Sequence, residues 1–148
     1  MAHYRGTIPS PRSAEEVFDY MAMFSNVSKW DPTAAEAHPI DDNKPGQGAR
    51  FHVLVRWLGR EIPLEYTTTA YERPGRVVLR AENATTISED TVTVQPKGTG
   101  CELTYEAQLT LKGAMRLIDP IFGLLFKRLG DNAAAGLRRE LGSLAPNK

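Results

Sequence analysis

The sequence is short of almost every feature that would assign a chemistry at sight. It has one cysteine, Cys101, in 148 residues. No internal disulfide can form, which is compatible with a reducing compartment. Charge of one sign is not in excess, with 18 basic and 18 acidic residues. That balance argues against broad electrostatic binding of nucleic acid or an anionic membrane. No stretch approaches the roughly 18 apolar residues of a membrane-spanning helix, and no apolar leader follows a basic segment. A cytoplasmic protein without integral membrane association is expected. The histidines His3, His38 and His52 are scattered. HExxH, CxxC and paired-histidine spacings are absent, so neither a metal nor another cofactor is expected. Walker, GxGxxG and GxSxG loops are absent too. Cys101 borders a turn without a cysteine neighbour and reads as structural rather than nucleophilic.

What is present is alternation. Tyr4, Gly6 and Ile8 share one side of a first strand over 3–8, closed by Pro9 and Pro11. Ser13 with Glu16 reads as a helix N-terminus, and Val17, Phe18 and Met21 supply the buried face. A second short helix is expected over 25–30, ended by Asp31-Pro32, and a weak strand over 34–40. Phe51, Val53, Val55 and Trp57 then form an apolar face opposite Arg50, His52 and Arg56. Ile62, Leu64, Tyr66, Thr68 and Ala70 repeat the pattern. So do Val77, Leu79 and Ala81, and later Leu103, Tyr105, Ala107, Leu109 and Leu111. A further strand is expected over 85–94, followed by a turn over 96–100. Strands joined by such short turns should be antiparallel neighbours.

The tail has a different period. Ile118, Phe122, Leu125, Leu129, Ala133 and Gly136 recur at spacings of three and four, which places them on one helical face. Leu137, Leu141 and Leu144 widen the stripe. Asp119-Pro120 fits an N-cap and first helical position, after a short turn from about Ala114. Leu117, Ile121 and Leu124 add a second apolar side to the N-terminal half. A helix apolar nearly all round is buried or faces another apolar surface. The long helix, 120–144, should lie on the concave face of the sheet. Its basic residues Lys127, Arg128, Arg138 and Arg139 form the solvated side.

The order is strand, two short helices, about six strands and a long helix, within a single domain over 1–148. The local marks are Ser13-Ala14-Glu15-Glu16-Val17-Phe18-Asp19-Tyr20, Phe24-Ser25-Asn26, Trp30-Asp31-Pro32, Gly46-Gln47-Gly48, Tyr71-Glu72-Arg73-Pro74 and Gly98-Thr99-Gly100-Cys101-Glu102-Leu103. In this order they resemble the SRPBCC superfamily, the START-like or helix-grip proteins that include polyketide cyclase/dehydrase-like members. The resemblance implies an α+β helix-grip fold: a seven-stranded curved antiparallel sheet around the C-terminal helix, with an apolar cavity between them. Members bind lipids, sterols, polyketides or hormones, and some are enzymes. Fold does not choose among these.

The expected ligand-binding residues are Phe51, Val53, Val55, Trp57, Tyr66, Asp90 and Tyr105 from the sheet, and Leu117, Ile118, Ile121, Phe122 and Leu125 from the helix. Trp57, Tyr66 and Tyr105 combine apolar area with a polar tip. Trp30 reads as a loop anchor or as a gate. Asp90 is the single derivable acid–base candidate, because counting back by twos from Val94 and Val92 turns it inward. An exposed Asp90 is the favoured reading, and a β-bulge near Ser88-Glu89 would change the parity. No catalytic set is assigned. Three functions stay open: a carrier for a lipophilic small molecule, a polyketide cyclase/dehydrase-type enzyme using the same cavity, and a homodimer formed through the apolar helix face. The first is favoured because no catalytic set can be derived.

Overall fold

The computed structural model of the chain describes residues 2–41, 44–57, 59–113 and 119–142, the side chains of 57 and 119–122 excepted. Seven strands form one antiparallel sheet: β1 (Ala2–Ser10), β2 (Ala34–Pro39), β3 (Arg50–Trp57), β4 (Arg60–Glu72), β5 (Arg76–Glu82), β6 (Thr86–Lys97) and β7 (Gly100–Leu111). Their spatial order is β1-β7-β6-β5-β4-β3-β2. Six strands run as a meander from β2 to β7, and β1 returns beside β7. Helices α1 (Ala14–Ala22) and α2 (Val27–Trp30), separated by the 3-10 turn Phe24–Asn26, link β1 to β2. Helix α3 (Asp119–Leu141) completes a helix-grip fold.

The expected caps and faces account for most of this packing. Ser13 Oγ accepts a hydrogen bond from the Glu16 amide at the start of α1. Val17, Phe18 and Met21 are buried beneath that helix. Inward residues Val77, Leu79, Ala81, Val92, Val94 and Leu103 form the centre of the core. On α3, burial is concentrated in the C-terminal half, at Ala133, Ala134, Leu137 and Leu141. That half is pinned at close range. Ser10 Oγ donates to the Leu141 carbonyl at 2.5 Å, and a Cβ on Gly136 would stand 1.9 Å from the Trp30 carbonyl oxygen.

Three expectations are corrected. The register between β4 and β5 shifts at Thr68/Ala70, so it is Tyr71, not Ala70, that turns inward, against Phe18 at 5.4 Å between ring centroids. Strand β6 continues through Pro96, which pairs with Cys101, and the turn shrinks to Gly98-Thr99 because Gly98 takes φ 60°. Asp90 is not exposed: the pairing of β6 with β5 and β7 runs without a bulge, and Asp90 is 6% accessible. Leu124, expected on a second apolar side that is buried or faces a further apolar surface, is 80% exposed. The histidines are also less scattered than their spacing implies, since His38 and His52 pair across β2 and β3 with stacked rings 6.3 Å apart. Expectations at Ala114 to Ile118 and at Leu144 lie outside the described residues.

Candidate functional site

Between the sheet and the less buried half of α3 lies a cavity of about 860 Å³. Its apolar wall comes from Val55 on β3, Ile62 and Leu64 on β4, and Ala107, Leu109 and Leu111 on β7. Leu125, Phe126, Leu129, Gly130 and Ala133 close it from α3. At its exposed rim stand Arg60 and Glu61. This volume is within the usual range for small-molecule sites.

Gly130 matters to that closure. A Cβ there would stand 2.2 Å from the Tyr4 ring, so glycine lets α3 settle onto β1. The Tyr4 hydroxyl then donates to Asp131 Oδ1 at 3.1 Å.

The polar groups of the cavity follow from sheet parity. Ser88, Asp90 and Val92 succeed one another on the inner face of β6. Ser88 stands opposite Leu109, Asp90 opposite Ala107, and Val92 opposite Tyr105. From β4, the Tyr66 hydroxyl meets Ser88 Oγ at 2.8 Å. Tyr105 is held by the edge of Trp30, 5.3 Å between ring centroids. Trp30 is itself fully buried, so it anchors the end of α2 and does not gate an entrance. The residue after it, Asp31, lines the cavity. Its Oδ1 accepts from the Thr33 amide at 2.9 Å and from Thr33 Oγ1 at 2.8 Å.

Asp90 has no hydrogen-bond partner among the described residues. Burial, then the like charges of Asp31 and Glu89, pushes its carboxyl up to about 8. Burial also raises Asp31, although the Thr33 hydrogen bonds oppose the shift. Tyr66 and Tyr105 are raised well above the usual phenol value, first by burial and next by the charge of Asp90. At neutral pH the cavity therefore holds one protonated acid, a second acid beside it and two neutral phenols. Such a set can donate to, accept from, or exchange a proton with a bound polar group.

Of the expected site residues, Val55, Tyr66, Asp90, Tyr105 and Leu125 line this cavity. Phe51 and Val53 are buried but do not line it. The 3-10 turn covers that part of the sheet, and Phe24 packs on both Phe51 and Tyr66. Leu117 and Ile118, and the side chains of Trp57, Ile121 and Phe122, lie outside the described residues. Lining residues outside the expected set include Asp31, Thr33, Ser88, Leu109, Leu111, Phe126, Leu129 and Gly130. Asp31 was legible only as a helix stop before proline. Phe126 follows Phe122 by four residues, which is the spacing that could have flagged it.

A family model described as polyketide cyclase / dehydrase and lipid transport matches residues 1–147. No curated protein matches the chain. Among solved structures, a START superfamily protein from Mycobacterium smegmatis superposes with a TM-score of 0.77 at 14% identity, covering 95% of this chain and 97% of that one. A protein from Thermus thermophilus gives 0.75 at 13% identity, covering 93% and 94%. The major latex-like protein 151 of Panax ginseng gives 0.60 at 10% identity, covering 90% and 95%. At such identities the likeness speaks for the fold, while the family match spans nearly the whole chain. With the antiparallel sheet gripping a C-terminal helix, it places the chain in the polyketide cyclase/dehydrase and lipid transport family.

Proposed function

We propose that the chain binds a lipophilic small molecule in the cavity between sheet and α3. The observation that carries this reading is the cavity itself, about 860 Å³ walled by aliphatic side chains with a few converging polar groups. An apolar ligand body would lie along Leu109, Leu111, Leu125 and Leu129, and a polar group would reach Asp90, Tyr66 and Tyr105. Burying such a body is favourable by about 25 cal/mol per Å² of apolar surface. The test is titration of the full chain with N-phenyl-1-naphthylamine, a neutral fluorophore, together with native mass spectrometry for co-purified ligand. Saturable 1:1 fluorescence gain displaced by a fatty alcohol is expected. Absence of both probe binding and retained ligand would overturn the reading.

Asp90 favours a second reading, acid–base catalysis of the cyclase or dehydrase type. A carboxyl raised to about 8 can both take and return a proton near neutrality. The Tyr66 or Tyr105 hydroxyl would hold a carbonyl oxygen as charge develops on it. Turnover of a poly-β-ketone surrogate that falls about 100-fold or more in Asp90→Asn, with binding retained, is the expected sign of an enzyme. No turnover above the uncatalysed rate would leave binding as the function.

A further inference from the structure

The polar end of the cavity has an unusual charge content. Among the described residues, its two ionisable acids, Asp31 and Asp90, are met by no lysine, arginine or histidine inside the cavity; the basic residue lining it is Arg60, at the exposed rim. Asp90 is 94% buried by its 6% accessibility, aimed into the cavity, and without a hydrogen-bond partner among the described residues. Asp31 Oδ1 is occupied by Thr33, and Oδ2 has no hydrogen-bond partner among the described residues. A buried carboxylate is costly unless paired. An anionic ligand would add a like charge beside Asp31 and drive Asp90 further toward its protonated form. A neutral hydroxyl would satisfy a hydrogen bond and leave Asp90 protonated, so that the two acids never act together. A cation is the one ligand charge that lets both carboxylates ionise against it, and the aromatic walls of Tyr66 and Tyr105 also favour positive over negative charge.

We propose that the cavity selects a lipophilic amine, its ammonium taken up by the Asp90 and Asp31 carboxylates and its hydrocarbon body lying along the wall of β7 and α3. This rests on the ligand-binding reading above and narrows it to a chemical class. Binding exchanges a proton for the ligand: the Asp90 carboxyl gives up its proton to solvent and pairs with the ammonium, which keeps its own. The groups facing Asp90 are Asp31 from the segment after α2, Tyr66 from β4, Ser88 on its own strand and Tyr105 from β7. β5 offers Leu79 opposite it, and α3 offers Leu129, Gly130 and Ala133. Glu89, next along β6, adds negative charge from the other face. None of these supplies a competing cation, so affinity rises with pH until Asp90 is ionised.

The experiment is calorimetric titration of the full chain with decylamine, decanol and decanoate at about pH 7 and about pH 8.5, both below the amine's own pKa of about 10. At the higher pH decylamine should bind at least about tenfold tighter than either analogue, the effect of one charge-assisted hydrogen bond. Its affinity should fall about fivefold or more at the lower pH as the proton competes. Heats measured in buffers of different ionisation enthalpy should report release of a proton. Asp90→Asn should lose the amine preference while keeping decanol binding. Asp31→Asn, which retains the acceptor for Thr33, should weaken that preference if Asp90→Asn fails to fold. Decanol or decanoate binding as tightly as decylamine overturns the amine proposal alone, as does an amine preference unchanged in the variants. Binding of none of the three overturns the ligand-binding reading with it.

Discussion

Asp90 and Ser88 sit side by side on β6, one with a partner and one without. Ser88 is satisfied by Tyr66; Asp90 instead keeps its proton. That choice has a consequence for stability. The unfolded carboxyl titrates near 3.8 and the folded one near 8. Between those values the folded chain holds a proton that the unfolded chain has lost. Stability therefore falls as pH rises from about 4 to about 8, by up to a few kcal/mol in all. Asp90→Asn removes this slope while keeping the shape. Urea unfolding of the variant should show a higher midpoint than the wild type at about pH 8 and no advantage at about pH 4. Equal midpoints at both pH values would mean that Asp90 is solvated. The inward side chain was legible from unbroken parity back from Val94, but the carboxyl itself argued for an exposed position. Local alternation cannot show whether a strand bulges. The continuous pairing with β5 and β7 decided it.

Helix α3 divides into two halves with different duties. Its C-terminal half is core, held by Leu137, Leu141 and the close approach of Gly136 to Trp30. Gly136→Ala drives a Cβ against backbone that cannot swing aside. It should destabilise the protein by about 1–3 kcal/mol, read as a lower urea midpoint. Because Asp31 follows Trp30, the same variant should also weaken ligand binding. The N-terminal half instead borders the cavity, with Leu125 40% exposed and Leu124 almost wholly so. Leu125→Trp should fill the cavity edge and reduce N-phenyl-1-naphthylamine affinity several-fold, roughly the loss of 1 kcal/mol. The melting temperature should move little, since the added ring has solvent to one side. A preserved affinity would remove Leu125 from the binding wall. The three-four spacing announced the helix and its length, but not which half is core. Leu124 and Leu137 are the same residue type, and their opposite fates depend on what the sheet and α2 bring opposite them.

Across the whole molecule, the cavity couples ligand to stability because its walls come from distant parts of the chain, β3, β4, β6, β7 and α3. A ligand that binds only this folded arrangement at about 100 times its Kd adds about 2.7 kcal/mol. Saturating decanol should therefore raise the melting temperature by several degrees, in proportion to the logarithm of its concentration. A flat response would place the alcohol elsewhere. Alternation from Phe51 to Leu111, the Ser13 cap and the long apolar stripe after Gly113 were enough to determine an antiparallel sheet followed by a gripping helix. Those signals are local, written in periods of two and about 3.6 residues, and hydrophobic burial reads them directly. The cavity's chemistry was not local. Asp31 ends a short helix and Asp90 lies within a strand, 59 residues on by their numbers. Only the curl of the sheet, with Trp30 wedged against Tyr105 and Gly136, brings the two carboxyls to one apolar enclosure, and it is that shared loss of water that raises both of them toward the protonated form.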